Sequence, residues 1–248
     1  MLRIGHKGAD ALVPGNTLES FAAAVGAGVD LIEFDLLRPR ADFADGSDWR
    51  RSPAGPAPAA ESLVIAHDWA DAERRRPLTL GEALDAFTRP PLDRVRFDID
   101  LKLTGREDEL AAALAARGLT ARAMVSTMEE ASLRWLLANA PALDRGWTLP
   151  KVGRDWSRSR ALRPVFLAGA AALRARLPNL VRARAAGLGA WAVWVYHPLV
   201  TRRLIETAHA AGVEVLAWTV DDPARIAELA GLGADGIVSN DPRLFAAT

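Results

Sequence analysis

Carboxylates set at alternate positions in two segments are the part of this sequence best suited to chemistry. Over residues 95–103, Val95, Phe97, Ile99, Leu101 and Leu103 alternate with Arg96, Asp98, Asp100 and Lys102. That is the two-residue period of a β-strand with one apolar and one charged face. Ile32, Phe34 and Leu36 alternate in the same way with Glu33 and Asp35. One such strand fits an antiparallel sheet with a wetted face. Two of them bring like charges together, and buried ions each lose several kcal/mol of solvation unless a cation neutralises them. A bound metal is the simplest answer. Glu33, Asp35 and Asp100 offer hard oxygen ligands that suit Mg²⁺ or Ca²⁺ better than zinc, and the chain has no cysteine. Lys102 shares the side of Asp100 and is placed to meet an anion beside that metal. Asp98, lower on the strand, is expected to pair with a basic residue.

The composition narrows the setting. A chain of 248 residues, half of them hydrophobic, is long enough for one large core and is expected to form a single domain. Its formal net charge is zero, so no global field attracts nucleic acid or an anionic membrane, and any anion must be bound locally. The start is too short in its apolar run for a signal peptide, and no stretch reaches the length of a membrane span. A cytoplasmic protein without an integral membrane segment is expected. Only three of the thirty-one basic residues are lysine, at positions 7, 102 and 151. Where lysine does appear in so arginine-rich a chain, a chemical reason is worth seeking.

The elements that must position these groups follow in order. Strands are predicted at 2–6, 29–37, 95–103, 121–126, 144–149, 190–196, 213–219 and 235–239, alternating with helices. Asn16 with Glu19 and Thr79 with Glu82 read as capping boxes that open helices. Three junctions, at Gly28, Gly212 and Gly233, carry a helix-ending glycine directly before a strand. Residues 38–62 form a long irregular loop, either filler or a lid. An accessory strand at 63–65 then delivers His67. The segment 158–186 reads as helical but broken at Pro164 and Pro178. Eight strands alternating with helices at this length predict an α/β fold, the TIM (β/α)8 barrel, with a doubly wound open sheet as the alternative. In a TIM barrel the active site lies at the C-terminal ends of the strands. His6, Asp35, Lys102, Ser126, Lys151, His197, Trp218 and Asn240 all fall at or just beyond such ends.

The order of short motifs is itself informative. His6-Lys7-Gly8, Pro14-Gly15-Asn16-Thr17, Ile32-Glu33-Phe34-Asp35, His67-Asp68, Asp100-Leu101-Lys102, Trp218-Thr219-Val220 and Ser239-Asn240-Asp241-Pro242 together resemble the glycerophosphodiester phosphodiesterases over nearly the whole chain. The resemblance implies a TIM barrel that hydrolyses glycerophosphodiesters to glycerol 3-phosphate and an alcohol with a divalent metal and two histidines. By position it implies His6 and His67 as the acid-base pair, Glu33, Asp35 and Asp100 as metal ligands, and Lys102 as a phosphate contact. The partner is then a small-molecule phosphodiester.

This chain departs from the family pattern at Lys7, Gly15, Asp100 and Asn240, where arginine, glutamate, glutamate and aspartate are usual. Lys7 keeps the charge but loses the bidentate fork suited to phosphate, and its change and that at Gly15 read as coupled. The usual small insertion domain is also missing, because 26 residues separate Asp68 from Val95 and one helix nearly fills that space. Two other readings stay open: a lysophospholipase D-like enzyme or phosphodiester lyase on the same barrel, and a non-catalytic phosphodiester-binding barrel. Among the remaining candidates, Lys151 either joins Lys7 and Lys102 at the phosphate or is a solvated loop lysine. Trp218 lines the site or fills the barrel top, and His209 is expected to be structural.

Overall fold

The computed structural model describes residues 1–38, 63–151 and 163–247. Among them, eight parallel strands close a barrel: β1 (Leu2–Gly5), β2 (Leu31–Leu37), β4 (Arg96–Leu101), β5 (Ala123–Thr127), β6 (Asp144–Leu149), β7 (Ala192–Tyr196), β8 (Glu214–Trp218) and β9 (Gly236–Ser239). Closure comes from β1, which pairs in parallel with both β2 and β9. The expected TIM barrel is the fold, and the open doubly wound sheet is excluded. The short strand β3 (Val64–Ile65) lies outside this ring and pairs antiparallel with the end of β2, in the accessory position expected of it.

The alternation of β2 and β4 works in the opposite sense to that of a surface strand. All seven residues of β2 are buried. Phe34 and Phe97 point outward into a cluster with Phe21 and Phe87, with ring centroids 4.2–6.0 Å apart. The charged side chains point into the barrel. Phe21 comes from α1 (Leu18–Gly26) and Leu84 from α3 (Leu80–Ala86), and both are fully buried. Burying a phenylalanine of this kind stabilises the fold by about 1.5–3 kcal/mol, so the apolar halves of the two strands hold their polar halves inside.

Local signals mostly act as expected. Thr79 and Glu82 form a reciprocal capping box at α3, and Gly28, Gly212 and Gly233 have φ of 80°, 71° and 96° where helices give way to strands. Helices α4 (Glu107–Ala116), α5 (Glu130–Asn139), α7 (Arg202–Ala210) and α8 (Pro223–Leu232) occupy the predicted intervals.

Three expectations are corrected. The N-cap of α1 is Thr17, whose hydroxyl accepts from Ser20 N, and Asn16 is turned elsewhere. The helix α6 (Arg163–Arg184) runs through Pro178 without ending; buried Leu177 and Val181 on either side of the proline pack into the core shared with α7, and that burial outweighs the lost backbone bond. Between His67 and β4 there are two helices, because α2 (Trp69–Arg74) precedes α3 and is capped by Asp68, which accepts from Asp71 N at 2.8 Å. The run into β4 is clamped by Arg122, whose guanidinium donates to the carbonyls of Phe87, Leu92 and Val95 at 2.6–2.9 Å. Most of the loop read as filler or lid, 39–62, lies outside the described residues, as does Pro164's upstream flank at 152–162.

The barrel interior is tightly filled at mid-height. The indole of Trp194 lies over Gly146, where an added Cβ would come within 2.4 Å of its Nε1 and 3.0 Å of Ser126 Cβ. Gly146→Ala is therefore expected to destabilise the fold by about 1–3 kcal/mol, the usual cost of overpacking, seen as a lowered urea midpoint. An unchanged midpoint would show slack in the barrel interior that this packing does not have.

Candidate active site

Strand register assembles the acidic cluster. Asp35 pairs with Asp100 across β2 and β4, and Glu33 sits two residues below Asp35 on the same face. One carboxylate oxygen from each of Glu33, Asp35 and Asp100 lies within 4.8 Å of the others. Glu33 and Asp35 are buried, and Asp100 is half-buried. Lys102 reaches back over them, forming a hydrogen bond with Asp100 and an ion pair 2.5 Å from Asp35 Oδ1. The Lys102 ammonium is the charged partner of the buried Asp35 Oδ1.

Further groups hold the carboxylates in place. The buried Asn16, at φ 60°, donates from Nδ2 to Asp35 Oδ2 at 2.8 Å and accepts from Asp35 N at 3.1 Å. Lys7, at φ 51°, donates its backbone N–H to Glu33 Oε2 at 2.9 Å. The Lys7 ammonium lies 4.0 Å from Asp10, which also accepts from Gly15 N. The carboxylate beside Lys7 thus comes from position 10, and a Cβ at position 15 would come within 2.5 Å of it.

Burial raises Glu33 well above the ordinary carboxylate range, aided by Asp35 and Asp100. Burial acts on Asp35 in the same direction, but Lys102, His67, Lys7 and His6 outweigh it and hold Asp35 well below its usual value. Burial would lower Lys102, yet the three carboxylates more than reverse that and raise it. A cluster of three hard oxygen donors within 4.8 Å of one another fits a divalent cation such as Mg²⁺ or Ca²⁺. The crowding of like charges gives the reason for one.

The two histidines stand in different settings. His6, which follows β1, lies with Nε2 3.9 Å from Glu33 Oε2, and Nδ1 is 2.6 Å from Asn240 Oδ1. Burial lowers its pKa, partly opposed by Asp35. His67 is delivered by β3; its side chain is 53% exposed and its Nδ1 lies 3.2 Å from Asp68. Trp218, at the end of β8, packs against Tyr196 with ring centroids 5.6 Å apart, and its buried indole N–H has no hydrogen-bond partner among the described residues.

Not every candidate converges. The Lys151 ammonium pairs with Glu129 at 2.7 Å and is 63% exposed, beside a groove lined by Trp147, Leu177 and Arg184. Asp98 pairs with no basic residue among the described ones; it is fully buried and accepts from Ser126 Oγ at 2.6 Å. Burial pushes its pKa well up. His197 bonds to Arg225, and His209 to Asp235 at 2.7 Å, the structural role expected of it. Two residues that matter here were not singled out for the site. Asn16 stood inside the motif Pro14–Thr17 but reads locally as a helix cap, and Asp221, which binds Asn240, carries no motif signal.

These features define a class: a TIM barrel with a cation-competent carboxylate cluster at its C-terminal mouth, bordered by His6 and Lys102. The chain belongs to the glycerophosphoryl diester phosphodiesterase family, whose model matches residues 6–38 and 94–244. The unmatched interval between these contains His67. A glycerophosphodiester phosphodiesterase from Arabidopsis thaliana is 42% identical over 57 residues, a stretch that is 23% of this chain and 17% of that relative's length. Among solved structures, a glycerophosphodiester phosphodiesterase from Agrobacterium tumefaciens is similar over the whole of both chains, with a TM-score of 0.64 and 22% identity. An Oleispira antarctica phosphodiesterase in complex with its product sn-glycerol-3-phosphate has a TM-score of 0.65 at 19% identity, covering 98% of this chain and 94% of that one. At these identities the structures establish the shared fold.

Asn16→Ala would leave both Asp35 Oδ2 and Asp35 N buried without their partner. The expected cost is about 1–3 kcal/mol, read from urea unfolding of the metal-free protein. A smaller effect on stability than that of a surface substitution would show that Asn16 does not hold Asp35.

Proposed function

We propose that this chain is a divalent-metal-dependent enzyme that hydrolyses glycerophosphodiesters to glycerol 3-phosphate and an alcohol. The observation that carries the reading is the convergence of Glu33, Asp35 and Asp100 with Lys102 and His6 at one barrel mouth. Family membership supports the substrate class, as does the product named for the Oleispira antarctica neighbour. No helix among the described residues is long and apolar enough to cross a membrane, and a small polar diester dissolved in the cytoplasm is the substrate we infer.

In this reading Glu33, Asp35 and Asp100 hold Mg²⁺ or Ca²⁺, which when bound supplies Lewis-acid polarisation of the phosphoryl oxygens. Lys7 and Lys102 offset the charge of the phosphate. Trp218 offers an unpartnered indole N–H to an oxygen of the substrate. Water attacks phosphorus as the bond to the alcohol oxygen breaks. Of His6 and His67, one takes the proton from the water and the other gives a proton to the departing alkoxide, the task for which imidazole is suited at neutral pH. Lys151, held by Glu129, has no part in this scheme.

The test is release of glycerol 3-phosphate from glycerophosphocholine. Activity is expected with Mg²⁺ or Ca²⁺, to vanish in chelator, and to be lost in Glu33→Ala and Asp35→Ala. His6→Ala and His67→Ala are each expected to lower kcat by at least about a hundredfold. Full activity in chelator would overturn the metal assignment, and a cyclic phosphate product would replace water by a substrate hydroxyl as the nucleophile. A fully active His67→Ala would remove that residue from the mechanism.

A further inference from the structure

Three neighbouring strand ends meet beside His6. His6 follows β1, Asn240 follows β9, and Asp221 lies just beyond β8; β9 pairs with both β1 and β8. Asn240 Oδ1 is 2.6 Å from His6 Nδ1. On its other side Asn240 donates twice to one carboxylate, from Nδ2 to Asp221 Oδ2 at 2.6 Å and from its backbone N–H to Asp221 Oδ1 at 2.8 Å. Ser239 Oγ also donates to Asp221 Oδ1, at 2.9 Å.

The chemistry of these groups removes the usual ambiguity of an amide and an imidazole. An ionised carboxylate only accepts. With both of its oxygens facing N–H groups of residue 240, the Asn240 amide must turn its NH2 toward Asp221 and its oxygen toward His6. That oxygen also only accepts, so the proton on neutral His6 must sit on Nδ1. The other ring nitrogen, Nε2, then keeps its lone pair on the side of the carboxylate cluster. At 3.9 Å from Glu33 Oε2 it is too far for a hydrogen bond to that oxygen.

We propose that Asp221 is a positioning residue that, through the amide of Asn240, selects the Nδ1-protonated tautomer of His6 and so keeps Nε2 open to receive a proton. Its value for turnover rests on the proposed role of His6 as one of the acid-base pair, but the tautomer itself does not. The carboxylate acts without touching substrate, two hydrogen bonds away from the ring nitrogen it governs.

The design of the network dictates the variants. In Asp221→Asn, residue 221 keeps an oxygen for the backbone N–H of Asn240 and turns its NH2 toward the Asn240 side chain. Asn240 must then rotate its oxygen toward residue 221 and its NH2 toward His6, which moves the imidazole proton to Nε2. The double variant Asp221→Asn with Asn240→Asp restores an acceptor facing Nδ1, because the new carboxylate accepts from both residue 221 and His6. The same four residues then make the same contacts with the charge moved one residue closer to His6.

The experiment is long-range ¹H–¹⁵N NMR of the metal-free full chain labelled in histidine, at a pH where imidazole is neutral, with the His6 signals identified by their loss in His6→Gln. The wild type is expected to show protonated Nδ1 and bare Nε2, Asp221→Asn the reverse, and the double variant the wild-type pattern again. On glycerophosphocholine, Asp221→Asn is expected to lower kcat by about ten- to a hundredfold, as loss of an outer partner of a functional histidine does. KM should stay unchanged and the double variant should recover. Protonated Nε2 in the wild type overturns the proposal whatever the variants do, and so does an Asp221→Asn protein with the wild-type tautomer. An inverted tautomer with unchanged kcat upholds the selection by Asp221 and overturns instead the acid-base role of His6.

Discussion

The structure depends on keeping three carboxylates together where water is scarce. Register forces the crowding, because β2 and β4 pair Asp35 directly with Asp100 and set Glu33 below them. Each nearby polar group then has a task in relieving it. Lys102 lies across Asp35 and Asp100, the Lys7 backbone N–H meets Glu33, and Asn16 satisfies Asp35 from the far side. The relief is uneven: Asp35 is held ionised while Glu33 is pushed toward its neutral form. Removing either cationic or amide partner from such a set leaves uncompensated polar atoms, which costs more than the intact contact contributes.

The barrel tolerates this because its polar and apolar demands are separated by face. Outward residues of β2 and β4 join a phenylalanine cluster, and the interior changes character with height. Low in the barrel, Ile4, Leu31, Met124, Trp194 and Leu216 pack together. Above them Asp98 with Ser126 forms a buried polar step, and only at the mouth do charged groups accumulate. The buried pair of Asp98 and Ser126 lies between the apolar interior and the rim, and the charges gather at the end where a ligand can reach them.

Much of this was legible from local pattern. Alternation over 95–103 and 31–37 identified two strands and their charged faces, and the spacing of Glu33, Asp35 and Asp100 sufficed to gather them once a barrel was assumed. Features set by partners distant in sequence were not legible. Asn16 has the residue type and spacing of a helix cap, and only its contact with Asp35, nineteen residues on, shows its use. Asp221 has no local signature because its partner is Asn240. Pro178 reads as a helix stop, since propensity contains no knowledge of the packing around Leu177 and Val181. Of the three scarce lysines, Lys102 pairs with Asp35 and Asp100, whereas the ammonium groups of Lys7 and Lys151 have Asp10 and Glu129 as partners.

His67 poses a separate positioning problem, since no barrel strand carries it. Its strand, β3, has only two residues and adds to the end of β2, a weak anchor by itself. Arg75 supplies the missing restraint. Its guanidinium donates to the Ile65 carbonyl in β3 and the Asn16 carbonyl, each at 3.2 Å. It also holds Asp71, which accepts the backbone N–H of His67. One side chain therefore ties the segment carrying His67 to the residue that fixes Asp35. The exposed histidine and the buried carboxylate are placed relative to each other through Arg75 and Asn16, although they belong to different layers of the fold. The restraint on this segment runs through hydrogen bonds to the barrel mouth itself.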